Sequence, residues 1–168
     1  MKRILTTLAV FGFLFTAVSA QQYPSGGGHT PAKLQEYKAE HQALLQEART
    51  NSVTAYRVAI RYYTGKRVNP SPSNGLAYLK HAAYMTNAPN SLALHDLGVA
   101  TYWGLGVKAD KEEGKKLILK ACADSGITKP EEVKQVLDQA TYGDKKPFDP
   151  VHSNERFIYY ERQNRKSK

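Results

Sequence analysis

The chain has 168 residues, 24 of them Lys or Arg and 15 Asp or Glu, for a formal net charge of +9 at pH 7. That length suits one domain, and the basic balance favours acidic partners or anionic surfaces. A single cysteine, Cys122, excludes an internal disulfide, so stability must come from an apolar core.

The first elements concern export. Lys2 and Arg3 precede an apolar run from Ile4 to Ala17, and Val18-Ser19-Ala20 places small residues where a signal peptidase cuts. Residues 1–20 therefore read as a secretory signal peptide cleaved after Ala20. The apolar run falls short of the ~20 residues a span needs, so no stable membrane anchor is expected after cleavage. The mature chain is expected in the periplasm or outside the cell, where nucleic acid is not an expected partner. Residues 21–30 are Gly/Ser-containing and polar, and read as a disordered linker.

Thr30-Pro31 looks like a helix start, with Pro at the first helical position. Over residues 31–50, Leu34, Tyr37, His41, Leu44, Leu45 and Ala48 recur at helical spacing. This segment is expected to be an N-terminal capping helix.

Beyond it the chain repeats itself. A shift of 39 residues lays Val58–Asn87 on Leu97–Gly126 without a gap. Tyr63 falls on Tyr102, Gly65 on Gly104, Val68 on Val107 and Gly75 on Gly114. The shift continues weakly once more, with Val136 on Leu97 and Gly143 on Gly104. Each unit reads as two helices. In the second, helix A covers Ser91–Trp103 and is stopped by Gly104 and Gly106. Asp110 is expected to cap helix B, with Glu113 completing a capping box. The units are placed at 53–89 and 91–126, with a partial third at 130–143. Residues 144–168 form a C-terminal extension with a basic tail, in which Phe157, Ile158, Tyr159 and Tyr160 are expected to form a short closing helix.

The stretch Leu97-Gly98 to Gly104-Leu105-Gly106-Val107, with Asp110 and then Lys120-Ala121-Cys122-Ala123-Asp124-Ser125-Gly126, resembles the Sel-1-like repeat. It departs from that pattern at Thr101, Gly114, Leu117 and Cys122; the first unit departs at Arg67 and Ser71. The resemblance covers about Val53 to Gly143. It implies an all-α fold: a short right-handed α/α solenoid of Sel-1-like, tetratricopeptide-like helix hairpins with an N-terminal capping helix. It also implies a role in protein–protein contacts.

Residues able to carry chemistry are sparse. The histidines, His29, His41, His81, His95 and His152, lack metal-ligand spacing. No phosphate loop and no nucleophile elbow occurs, and Glu112-Glu113 and Glu131-Glu132 suit helix starts. No catalytic, metal or cofactor site is expected. Binding is assigned instead to the concave face of the helix-A row, through Tyr56, Arg57, Ile60 and Tyr63 in unit one, His95, Val99, Tyr102 and Trp103 in unit two, and Tyr142 in unit three. Arg57, Arg61 and Lys66 add positive charge there. The expected function is a non-catalytic scaffold or adaptor holding a protein or peptide, acidic by charge balance. One alternative is an immunity protein neutralising a secreted toxin. A more distant one is a hydrolase related to cysteine-rich Sel-1-like proteins.

Overall fold

The computed structural model describes residues 30–141 and 154–166. Seven helices cover these residues, and no strand occurs among them: α1 Pro31–Glu47, α2 Ser52–Thr64, α3 Pro72–Ala83, α4 Ser91–Trp103, α5 Lys111–Asp124, α6 Pro130–Thr141 and α7 Glu155–Lys166. The expected signal peptide, almost all of the linker at 21–30, and residues 142–153 lie outside the described residues.

Local chemistry sets each helix boundary, and it recurs at the 39-residue shift. Asn51 and Asn90, in extended backbone, accept hydrogen bonds from the Thr54 and Ala93 amides at 3.1 and 3.0 Å and so cap α2 and α4. Both helices end on a glycine in the left-handed region, Gly65 at φ 70° and Gly104 at φ 77°. The chain then returns in the same way: the Ser71 amide donates to the Tyr62 carbonyl at 2.8 Å, and the Asp110 amide to the Thr101 carbonyl at 2.9 Å. The second of these bonds alters the expected capping box. Asp110 does accept from the Glu113 amide at 2.9 Å, but its own N–H is taken by Thr101 rather than by the Glu113 side chain. Arg67, at the position equivalent to Gly106, also keeps positive φ, 64° against 82°.

α2 packs on α3, α3 on α4 and α4 on α5, while α1 lies against α2. The α4–α5 approach is close because both helices carry glycine at the crossing. A Cβ on Gly98 would meet the Gly114 carbonyl oxygen at 2.8 Å, and one on Gly114 would meet the Tyr102 backbone at 2.7 Å. The core is continuous from Leu44 and Leu45 of α1 through Val58, Leu79, Leu97 and Ile118 to Val136 and Phe157.

α4 is buried almost all round. Every residue from Ala93 to Ala100 is buried, and so is Tyr102. A helix apolar on all sides belongs inside a protein, and α4 is covered by α3, α5, α6 and α7. Among the described residues, no helix is long and apolar enough to cross a membrane.

Candidate functional site

One face of α2 lines a groove of about 430 Å³. Tyr56, Arg57, Ile60 and Arg61 fall on that face, and Lys66 sits just beyond the Gly65 cap. Leu92, in the first turn of α4, and Asn154 and Ile158 of the α7 region form the opposite side. The volume lies within the range of ligand pockets. No carboxylate among the described residues lines it.

Beneath this groove sits a polar junction of three elements. Asp96 on α4 has no solvent exposure. The Tyr56 hydroxyl of α2 donates to its Oδ2 at 2.8 Å, and the Asn154 amide donates to the same oxygen at 3.2 Å and to Tyr56 Oη at 3.2 Å. His95 Nδ1 lies 2.9 Å from Asp96 Oδ1. His95 is itself fully buried, and its ring sits 4.8 Å from the Phe157 ring of α7. A buried carboxyl group needs such donors to offset its lost hydration. Burial raises the Tyr56 hydroxyl far above the usual phenol range, with Asp96 adding to the effect. Tyr56 therefore stays a donor at any physiological pH.

The charges on the rim differ in how far they are satisfied. Arg61, whose side chain is 12% exposed, bonds Glu40 of α1 through Nη2 at 2.5 Å. Its Nη1 is buried and has no hydrogen-bond partner among the described residues. Glu40 also pairs with Arg67. These contacts, Arg61 first, hold the Glu40 carboxyl below the usual carboxylate range. Arg57 and Lys66 are exposed, and neither pairs with a carboxylate among the described residues.

The structure divides the nine residues that the sequence places on the binding face. Tyr56, Arg57 and Ile60 line the groove. Tyr63 is partly buried; its hydroxyl donates to the Leu105 carbonyl at 3.3 Å, and its ring presses on Gly75. His95, Val99 and Tyr102 are interior, which corrects their placement on an open face: Phe157 of α7 covers His95, and Tyr102 packs on Gly114 of α5. Trp103 is half-buried, and its indole N–H donates to the Ala140 carbonyl at 3.1 Å. Tyr142 lies outside the described residues.

Asp96 and Asn154 are not legible as site residues in the sequence. They sit 58 positions apart with no shared motif, although the His95-Asp96 pair inside the otherwise apolar run Ala93–Ala100 is a signal in itself. His81 and His95, which neighbouring helices could have brought together, bind elsewhere: His81 Nε2 lies 3.0 Å from the Ala48 carbonyl oxygen. No cluster of three His, Cys, Asp or Glu residues suited to a metal ion occurs among the described residues. Cys122 is buried, and burial pushes its thiol up to about 11, the reverse of what activates a nucleophile.

A second depression, of about 660 Å³, lies by Tyr84, Met85, Pro89 and Leu94. Its Lys120 and Asp124 already pair with each other at 2.7 Å, so its charge is internally matched, unlike that of the α2 groove. No protein-family model, no curated protein and no solved structure matches this chain.

Proposed function

We propose that the mature chain is an exported, non-catalytic protein-interaction module, and that its partner docks in the groove between α2, α4 and α7. In this reading, the hairpins α2–α3 and α4–α5 are units of a short right-handed α/α solenoid of the Sel-1-like kind, capped by α1. The 39-residue recurrence of helix caps, left-handed glycines and return bonds supports the repeat. The observation that carries the binding reading is the groove itself. It is preformed, walled by helices, and mixes apolar side chains with cations that no carboxylate among the described residues of its walls offsets.

The test is capture from a periplasmic extract by the full mature chain and by Ile60→Glu. Ile60 is only half-buried, so the variant should fold. Specific partner recovery should fall at least tenfold while the melting temperature moves by only a few degrees. Equal recovery by both proteins would refute the groove as the docking site. A single stoichiometric partner would favour an immunity role over a scaffold. Hydrolysis of a substrate panel by the pure protein would overturn the non-catalytic reading.

A further inference from the structure

We infer that the α2 groove receives an acidic, partly apolar segment of the partner protein, whose carboxylates meet Arg57, Arg61 and Lys66 while its apolar side chains lie on Ile60, Leu92 and Ile158. This rests on the interaction reading above and names the chemistry of its occupant. Three cations line one groove with no anion among the described residues of its walls. The nearest buried carboxyl group, Asp96, is already engaged by Tyr56, Asn154 and His95. Glu40 engages only one end of the Arg61 guanidinium and leaves Nη1 without a hydrogen-bond partner among the described residues. Arg57 and Lys66 have no carboxylate partner there either. Among the described residues, Arg57 and Lys66 thus hold positive charge that no carboxylate compensates, beside an apolar wall.

Spacing fits a peptide. Arg57 and Arg61 are one helical turn apart, about 5–6 Å. Carboxylates two residues apart on an extended strand, about 6.6 Å, or four apart on a helix match that interval. A flat membrane surface does not fit, because Arg61 is recessed between α1 and the groove and only entering side chains reach it. Nucleic acid is disfavoured by the apolar side of the groove, which offers a sugar–phosphate backbone nothing to pair with.

The test places a photo-cross-linking amino acid at position 57 of the full chain, with controls at the exposed positions 84 and 119, outside the groove, and irradiates cells producing it. Mass spectrometry identifies the cross-linked peptide, and a synthetic copy is titrated against the purified protein. Position 57 should capture a segment carrying at least two Asp or Glu residues beside apolar ones. Its synthetic copy should bind, and Arg57→Glu combined with Lys66→Glu should weaken binding about tenfold or more. Raising salt from about 50 to about 300 mM should weaken it several-fold.

Capture of a neutral or basic segment, or affinity indifferent to charge reversal, overturns the inference. Capture at a control position but not at 57 overturns it too, while leaving the interaction reading intact. Absence of any cross-link at all positions fails both. Pelleting with phosphatidylglycerol vesicles that is lost in the charge-reversed protein, without a peptide cross-link, overturns it in favour of a lipid surface.

Discussion

Two glycines at repeat-equivalent positions face equivalent tyrosines through different atoms, and a methyl group added at each should have different costs. The three atoms nearest a Cβ on Gly75 would all belong to the Tyr63 ring, the closest at 2.7 Å, and a ring at the end of a side chain can swing aside. A Cβ on Gly114 would meet the Tyr102 backbone nitrogen and Cα at 2.7 Å, so α4 and α5 would have to part. Alanine's better helix propensity contributes up to about 1 kcal/mol in both cases. Overpacking of a rigid contact costs about 1–3 kcal/mol. Gly114→Ala should therefore lose about 1–2 kcal/mol net, and Gly75→Ala should stay within about 1 kcal/mol of the parent and lose less than Gly114→Ala, as measured by urea unfolding. Equal losses would mean that the α4–α5 distance is softer than it looks. Gly104 tests a different cause. Its φ of 77° is poorly tolerated by any residue with a Cβ, and least by a β-branched one. Gly104→Val should cost about 2 kcal/mol or more, seen as a drop of roughly 4–8 °C in melting temperature. Arg67, at φ 64°, shows how such strain is tolerated: its guanidinium pairs with Glu40 and lies 5.2 Å from the Tyr37 ring centroid.

At the scale of elements, α1 is attached through a buried histidine. His41 is fully buried, with Nε2 3.2 Å from the Tyr62 hydroxyl and its ring edge-on to the Tyr62 ring. Burial first, and the nearby Arg61 charge second, push its imidazole down to about 4. The unfolded chain binds that proton near the ordinary histidine value of 6.5, while the folded chain refuses it until about pH 4. The unfolded state therefore holds more protons between those values, and stability falls as pH drops through that window. The loss can reach about 3 kcal/mol. Glu40 acts in the same sense at the lower end, since its lowered pKa favours the folded chain only while the carboxylate is charged. His41→Leu should flatten the urea midpoint between about pH 6.5 and about pH 4.5; a slope equal to the parent's would assign the acid sensitivity elsewhere.

α1 also shows what sequence can reveal. Its start at Thr30-Pro31 and its buried positions derive from spacing and local capping alone. The α4 bounds, Ser91–Trp103, agree with the expected helix A because Asn90 and Gly104 act within a few residues. The covering of α4 has no such local origin. The repeat marks one face of each helix-A segment as equivalent, but α6 and α7 break that equivalence at the chain's end. Tyr56 and His95 correspond by register, yet Tyr56 lines the α2 groove and His95 is buried against Phe157 of α7. Arg57 and Ile60 could be read as groove residues because α2 has no later helix over that part of its face.

For the molecule as a whole, α7 and the residue before it are the long-range fastening. Asn154 reaches Tyr56 across 98 positions and Asp96 across 58, and Phe157, with no exposure, closes over His95. Contacts so distant in sequence form only after the hairpins have assembled, since closing the intervening chain costs entropy first. Once formed, they bury a carboxyl group and an imidazole that would otherwise face water at the side of α4. Truncating Phe157 to Ala removes a fully buried ring, a change worth about 3–5 kcal/mol. Removing residues 142–168 takes Asn154 as well, but it lets water reach Asp96 and His95, which recovers part of the hydration their burial cost. The truncated chain should thus lose about as much as Phe157→Ala rather than the sum of both effects, lowering the melting temperature by about 10–20 °C. Cooperative unfolding should persist, because α2 to α5 still pack in sequence. The groove would lose its Asn154 and Ile158 side, so affinity for the acidic segment should fall even below the melting transition. Circular dichroism melts of both proteins, with peptide titration at low temperature, give the two readouts. An unchanged melting temperature after truncation would mean that α7 does not fasten the fold in solution; unchanged affinity would place the binding surface on α2 alone.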